Sequence, residues 1–385
     1  MTRVLVIGAG PAGTRCAEAC ATRGLSVTLI GAEPGLPYDR VALGKVLTGA
    51  DPSVLSMPNP GRRGIHYIPG TRVSRLDRAS RRAFTTAGQA ISYDRAVIAT
   101  GSQAWRLPLP GAERPHVLLY RTLADVAAMR ELAGIGVPAV VIGGGLLGLE
   151  AAAGLAELGC AVTVLHAMPW LMERQLDAAA AATLRRHLEA RQLRFVMPAA
   201  TAAIEADAVL LQDGTRIPVA IVVLAVGVRP NLPLAEGLVV KRGIVVDDHL
   251  RSSDADIFAI GECAEHQGQV CGLVAPALAM ADVAAANLAG LPERYTPPTL
   301  SATLKIAGLP VWSLGEIAPE GAEAVTVEDA GLGEYRGFWL RDGVLVGAVL
   351  CGDAADSGFY QGMLGRPVGD RATLALGPAW HKAAA

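Results

Sequence analysis

The 385-residue chain lacks the residue patterns that mark several functions. Its six cysteines, Cys16, Cys20, Cys160, Cys263, Cys271 and Cys351, are scattered. None forms a C-x-x-C pair or a cluster with zinc or iron–sulfur spacing, so no metal site is expected. Cys16 and Cys20 stand four apart and read as small core residues rather than a redox pair. Charge of one sign is also missing: 34 basic residues face 36 acidic ones, for a net charge of -2. That balance argues against nucleic acid or an anionic membrane as the main partner. The one basic cluster, five Arg between Arg72 and Arg82, reads as the solvated face of a hairpin. No apolar run reaches the ~18–20 residues that span a bilayer. Met1 leads directly into an apolar strand, which leaves no secretion signal, and a cytoplasmic location is expected. Aromatic residues are few, at 4%, although 51% of the chain is hydrophobic, so Val, Ala and Leu must fill the buried strands and line the helices.

What the chain has is one pattern of about thirty residues, written twice. Leu5 to Pro34 carries Gly8, Gly10 and Gly13; Val140 to Pro169 carries Gly143, Gly145 and Gly148, each 135 positions on. Gly24, Val27, Thr28 and Pro34 match Gly159, Val162, Thr163 and Pro169 without a gap. Each copy starts with a β-branched apolar run, Val4-Leu5-Val6-Ile7 or Val140-Val141-Ile142, which reads as a buried parallel strand. The Gly-x-Gly-x-x-Gly that follows gives a tight turn, a close backbone approach to a pyrophosphate, and close helix packing. The diphosphate then rests on the helix N-terminus. A lone Gly-x-Gly-x-x-Gly is weak evidence, but a repeated strand–turn–helix–strand is strong. Two dinucleotides on one chain point to redox chemistry.

Around these copies the sequence divides into parts. Residues 1–116 and 239–295 read as one discontinuous domain, 117–238 as a second, 296–365 as a small third, and 366–385 as a tail without clear periodicity. Val73 to Tyr93 reads as a hairpin, and an Ala-rich helix is expected over Ala277 to Ala289. Two strands end in small residues that let the chain pass close to a nucleotide: Ala99-Thr100-Gly101, and Ala225-Val226-Gly227. In the third part Asp342-Gly343 between apolar strands signals a hairpin. There Trp312, Trp339, Phe359 and Tyr360 either pack a core or line a partner surface.

The order of these parts resembles the glutathione-reductase type of two-dinucleotide flavoprotein. The implied fold is α/β, with two Rossmann-like dinucleotide-binding domains and a small C-terminal α+β interface domain. More narrowly, the chain is similar to ferredoxin and rubredoxin reductases. It is most like the electron-transfer subunits of assimilatory nitrate reductase and the FAD-containing N-terminal half of NAD(P)H nitrite reductase large subunits. Pro37-Tyr38-Asp39-Arg40 with Leu43-Gly44-Lys45, Leu171 to Asp177, and Ala259 to His266 with Gly272 to Pro276 carry the likeness. Gly44 stands where the family has Ser, and nothing in the sequence explains it. No Cys-rich iron–sulfur or sirohaem stretch follows within the 385 residues, so the chain is not expected to reduce nitrite alone.

The resemblance implies FAD in the first copy and NADH or NADPH in the second. FAD would be held by Gly8, Gly10, Pro11, Ala12, Gly13, Arg40, Lys45, Ala99, Thr100, Gly101, Gly261, Glu262, Ala275 and Pro276. Glu33, 20 residues after Gly13, fits the acid that binds the adenosine ribose. Gly143, Gly145, Gly148, Glu150, His166 and Gly227 would hold the coenzyme. The second copy ends its strand at His166, with neither acid nor Arg there and Arg174 eight residues on. Both coenzymes stay open, with NADH favoured. Lys45 and Glu150 would be the catalytic pair, Lys45 near the flavin and ion-paired to Glu150; a purely structural salt bridge is the alternative. The stretch Tyr38 to Thr48 has no Cys, so reduced flavin has no dithiol relay and must pass electrons outside the chain. The expected partner is a molybdenum- or sirohaem-containing nitrate or nitrite reductase subunit, or a small iron–sulfur protein. A protein holding both cofactors only for structure is the remaining reading.

Overall fold

A computed structural model describes residues 2–299, 301–306 and 308–378. The chain divides into two compact units: Met1–Leu43, Asp51–Gln103 and Val228–Pro298; and Gly44–Ala50, Ala104–Gly227 and Thr299–Ala385. It changes unit after Gln103 and after Gly227, rather than near residues 116 and 238 as the sequence suggests. Residues 44–50, which the sequence places with the first domain, group with the second unit. Packing explains this. Leu47 is fully buried, and a Cβ added to Gly154 would lie 2.4 Å from its Cδ2. Arg130 also donates to the Val46 carbonyl at 3.1 Å.

In the first unit the apolar run Val4 to Ile7 forms the strand Arg3–Ile7 at the centre of a five-stranded parallel sheet. The strand order is Ile257–Ala259, Arg95–Ile98, Arg3–Ile7, Ser26–Ile30, His66–Ile68. Val4 to Ile7 are all buried, as a strand covered on both faces requires. The helix Pro11–Thr22 starts with Pro at N1, where the missing N–H has no helical partner anyway. It packs on the Ala-rich helix Val274–Leu288. That helix begins three residues earlier than expected, so Ala275 and Pro276 lie inside its first turn rather than ahead of it. Pro276 is tolerated because first-turn N–H groups lack i−4 acceptors.

Val73 to Tyr93 forms a three-stranded antiparallel sheet, Val73–Asp77, Arg82–Thr85 and Ala90–Ser92, rather than a single hairpin. Its Arg cluster is not merely solvated. Arg78 pairs with Asp254 at 3.2 Å, Arg81 with Asp256 at 2.5 Å, and Arg75 lies 4.3 Å over the Phe84 ring. Cys16 and Cys20 are fully buried and free, as small core residues.

The second unit repeats the first number for number. The strand Pro138–Ile142, the helix Leu146–Glu157 and the strand Ala161–Leu165 each lie 135 positions after Arg3–Ile7, Pro11–Thr22 and Ser26–Ile30. Its parallel sheet runs Arg194–Val196, Ala161–Leu165, Pro138–Ile142, Ile221–Leu224, Val117–Leu119. The same unit holds an antiparallel sheet of Ser301–Ile306, Leu309–Gly315, Val344–Cys351, Glu334–Arg341 and Glu323–Asp329. Its Asp342-Gly343 turn has φ of 52° and 75°, the two left-handed residues of a type I′ hairpin. Trp312 and Tyr360 are at most 2% exposed and stand in the core on one face of this sheet, with Phe359 edge-on to Tyr360; Trp339, 4% exposed, lies beside Gly337 and Tyr335 instead.

The stretch after 365 is no free tail as far as residue 378. Leu374 is fully buried, its carbonyl accepts from the Tyr360 hydroxyl at 2.9 Å, and Arg371 pairs with Glu323 at 2.7 Å. Residues 379–385 lie outside the described residues. Among the described residues no helix is long and apolar enough to cross a membrane.

Candidate functional site

Each unit builds a glycine-rich turn between its central strand and first helix. In the first, a Cβ on Gly8 would lie 2.1 Å from the Ala99 carbonyl oxygen, and one on Gly13 1.8 Å from that of Gly8. Gly8 also has φ of 116°. Both positions are closed to any side chain. Gly10 is the opposite case: a Cβ there would meet nothing within 4 Å. Gly10 is the helix N-cap, so no side chain caps the first-turn N–H groups of Pro11–Thr22, and the space beside Gly10 is open. An open helix start bounded by two closed glycines fits a dinucleotide diphosphate.

The residues expected around this turn gather in the same unit. Glu33 accepts from the Tyr38 hydroxyl at 2.6 Å and pairs with Arg40. Its two oxygens are therefore oriented, and it remains over a third exposed. The Ala99-Thr100-Gly101 crossing is pinned by Asn231: the Thr100 hydroxyl donates to the Asn231 carbonyl at 2.7 Å, and the Asn231 N–H to that of Gly101 at 2.9 Å. Glu262 accepts from Ser102 at 2.9 Å, beside Gly101 and Gly272. Gly261, at φ 72°, leaves room for Ala12 and Ala277. The rest of that segment serves the fold. Glu265 is buried and accepts from the Arg242 and Gly243 N–H groups, at 2.6 and 2.9 Å.

The second turn has the same geometry. A Cβ on Gly143 would lie 2.3 Å from the Ala225 carbonyl oxygen, one on Gly148 2.0 Å from that of Gly143, and one on Gly145 would be in the open. Gly227, at φ 107°, ends the second crossing. What differs is the edge of the turn. His166 is buried, and its Nδ1 accepts from the Gly144 N–H at 3.1 Å. That bond leaves Nε2 to carry the proton, which it donates to the Glu173 carboxylate at 3.1 Å. The Gly144 carbonyl in turn accepts from the Met172 N–H at 3.0 Å, and Met172 has a left-handed φ of 53°. His166 therefore does not stand alone at the strand end. An acid reaches it from a loop whose spacing carried no sign of the contact. The end of the same loop is structural: Asp177 caps the helix Ala178–Glu189 and accepts from the Tyr335 hydroxyl at 2.7 Å.

Lys45 and Glu150 fall in one unit, but no ion pair joins them among the described residues. Lys45 is exposed. Glu150, in the first turn of Leu146–Glu157, is half-buried, and burial pushes its carboxyl up to about 7. This corrects the expected pairing: a carboxyl withdrawn from water with no cation beside it favours its neutral form. Tyr120, which the sequence reading missed, lies near it. It is 3% exposed, its hydroxyl has no hydrogen-bond partner among the described residues, and burial and then Glu150 push that hydroxyl up. No periodicity marks Tyr120, because it comes in a loop after a three-residue strand.

Two open helix starts behind two buried parallel strands define a two-dinucleotide oxidoreductase. The chain belongs to the pyridine nucleotide-disulphide oxidoreductase family, which it matches over residues 2–286, and its cofactors are FAD and NAD(P)H. Residues 301–365 match the C-terminal domain of rubredoxin NAD+ reductase. It is 37% identical over 369 residues to the assimilatory nitrate reductase electron transfer subunit of Bacillus subtilis, covering 92% of this chain and 48% of that protein. Against the NAD(P)H nitrite reductase of the same organism the identity is 38%, covering 92% and 46%. The chain thus spans about half the length of these curated relatives. Among solved structures, a ferredoxin reductase from Rhodopseudomonas palustris matches with a TM-score of 0.89 at 29% identity, covering 100% of both chains.

Proposed function

We propose that the protein takes a hydride from NADH onto FAD and passes the electrons singly to a metal centre in a partner protein, in the cytoplasm. Flavin chemistry supplies the conversion of a two-electron donor into single electrons. The chain's own residues bind and orient. The first glycine turn and Glu33 seat FAD, with Arg40, Thr100, Gly101 and Glu262 along it. The second turn, with Gly227, seats the coenzyme. Lys45 supplies positive charge where the hydride arrives, and Glu150, at the start of the second helix, holds a proton without pairing to Lys45.

The single observation that carries the outward path is the absence of a thiol. Tyr38 to Thr48 contains no Cys, and five of the six cysteines are buried. The favoured partner is a nitrate- or nitrite-reducing subunit, supported by identity of 37% and 38% over 92% of the chain. A reductase for a small iron–sulfur protein is the second reading, favoured by the match to a ferredoxin reductase over all of both chains.

The test is anaerobic stopped flow on the FAD-loaded protein. NADH is expected to bleach the flavin, and the reduced protein to reoxidise fast with an iron–sulfur, molybdenum or sirohaem acceptor and slowly with a disulfide. Fast disulfide reduction would overturn the proposal, and failure of NADH to bleach the flavin would leave only a structural flavoprotein. An unchanged bleaching rate in Lys45→Met would remove Lys45 from the mechanism.

A further inference from the structure

The loop Met168–Leu176 is folded back onto the second glycine turn by contacts that converge on one residue, Gly144. Its N–H donates to His166 Nδ1 at 3.1 Å, and its carbonyl accepts from the Met172 N–H at 3.0 Å. A Cβ on it would lie 2.7 Å from His166 Cγ and 2.8 Å from Leu171 Cδ2, so both side chains pack on its bare α-carbon. The Trp170 indole donates to the Leu176 carbonyl at 3.1 Å and closes the loop. Met172 pays for the fold with a left-handed φ of 53°, a conformation a long side chain adopts only when its surroundings impose it. The residue next to Met172 is Glu173, and His166 Nε2 donates to its carboxylate at 3.1 Å.

We infer that Glu173, oriented by His166, is the acid that selects NADH over NADPH in this chain. The inference rests on the second turn being the coenzyme seat. In dinucleotide folds an acid after the second strand accepts a hydrogen bond from the adenosine 2′-hydroxyl and repels a 2′-phosphate. Here the second strand ends at Leu165, and His166 fills the place of the acid. The imidazole cannot repel a phosphate, but it can fix a carboxylate. With Nδ1 committed to Gly144, the ring presents one proton to Glu173 and holds it at the edge of the turn. Glu173 keeps part of its side chain exposed, at 25%, and so retains acceptor capacity for a ribose hydroxyl. The next residue, Arg174, is exposed and is the competing candidate, since an Arg here would instead welcome a 2′-phosphate. Glu173 is the residue built into the turn, and the carboxylate therefore sets the preference. His166 is a positioning residue.

The test is calorimetric titration of the FAD-loaded protein with NAD+ and NADP+, which bind without turnover. NAD+ is expected to bind at least about tenfold more tightly than NADP+. Glu173→Gln keeps an acceptor for His166 Nε2 and removes only the charge, so the ratio is expected to fall about tenfold, mainly through tighter NADP+ binding. His166→Phe, which keeps a ring against Gly144 but releases Glu173, should weaken NAD+ binding and narrow the ratio, with a lower melting temperature because the Gly144 N–H loses its acceptor. An unmoved ratio in Glu173→Gln, or tighter NADP+ than NAD+ binding that Arg174→Gln abolishes, would overturn the assignment and leave the coenzyme seat intact. Binding of neither nucleotide would overturn the seat and the assignment with it.

Discussion

The two dinucleotide units use glycine identically and bulk oppositely. Position 31 of the first corresponds to 166 of the second. In the first, Gly31 lies opposite Ala9, and a Cβ on Gly31 would come 3.0 Å from the Ala9 Cβ. In the second, His166 lies opposite Gly144, and the missing Cβ is on the turn instead. One unit places its side chain on the turn, the other at the strand end. The acids follow the same division. Glu33 stands three residues past its strand, held by Tyr38 and Arg40; Glu173 stands eight past its own, held by His166. The glycine pattern sets the turn, and the positions between and after the glycines set what stands beside it.

The most severe way to separate the units is to close one turn at a time. Gly13→Ala and Gly148→Ala each drive a methyl to 1.8 or 2.0 Å from a backbone oxygen, and backbone cannot step aside as a side-chain tip can. Each is expected to cost about 3 kcal/mol or more. Gly13→Ala should purify without visible flavin absorbance. Gly148→Ala should keep flavin and lose NAD+ binding in calorimetry. Flavin loss from both would mean that the two seats are not independent.

A second experiment converts one solution for bulk into the other. Gly144→Ala alone should destabilise by about 1–3 kcal/mol, because the new methyl meets His166 Cγ at 2.7 Å. Adding His166→Gly copies the Ala9 and Gly31 arrangement, relieves the clash and gives up the two His166 hydrogen bonds, so it should restore part of that loss in urea denaturation. A double variant no more stable than Gly144→Ala would show that Leu171, 2.8 Å from the same point, controls the fit.

Glu150 tests whether the second unit keeps a neutral acid. Its carboxyl is raised from 4.5 to about 7 by burial. The folded state therefore holds a proton that the unfolded state releases. The stabilisation is fully present below about 4.5, erodes as pH rises toward 7, and is gone above it. Glu150→Gln should flatten that slope and be more stable than the parent at pH 8, by about 1–2 kcal/mol after allowance for solvent screening. Melting curves from pH 4 to 8 would show it; parallel curves would mean that folding does not raise the Glu150 carboxyl.

How far the sequence could be read depends on whether an interaction is periodic. Val4 to Ile7, Val140 to Ile142 and the glycines between strand and helix repeat at fixed spacing, so both Rossmann cores and the Asp342-Gly343 hairpin are visible before any coordinates. The Glu173 contact is not, because it depends on Met172 turning left-handed, which no residue preference announces. The Leu374 anchor was hidden for a similar reason: a five-residue helix, Ala372–Leu376, is too short to show an apolar stripe. The move of Lys45 into the second unit hangs on Leu47 meeting Gly154, residues more than a hundred positions apart.

The smallest expected effect concerns that same segment. Gly44 is glycine where the resembling family has Ser, and its φ is not left-handed, so conformation does not demand glycine here. A Cβ on Gly44 would lie 3.6 Å from the Tyr120 hydroxyl, an ordinary contact. That hydroxyl is buried without a partner among the described residues, a situation that costs about 1–3 kcal/mol. A serine hydroxyl on that Cβ would come within hydrogen-bonding reach. Gly44→Ser should therefore stabilise by about 1 kcal/mol, part from the new bond and part from leaving glycine out of the helix Leu43–Leu47. The two parts separate in a double-mutant cycle. In the Tyr120→Phe background only the helix part, about 0.5 kcal/mol, should remain. Equal gains in both backgrounds would show that the serine never reaches Tyr120.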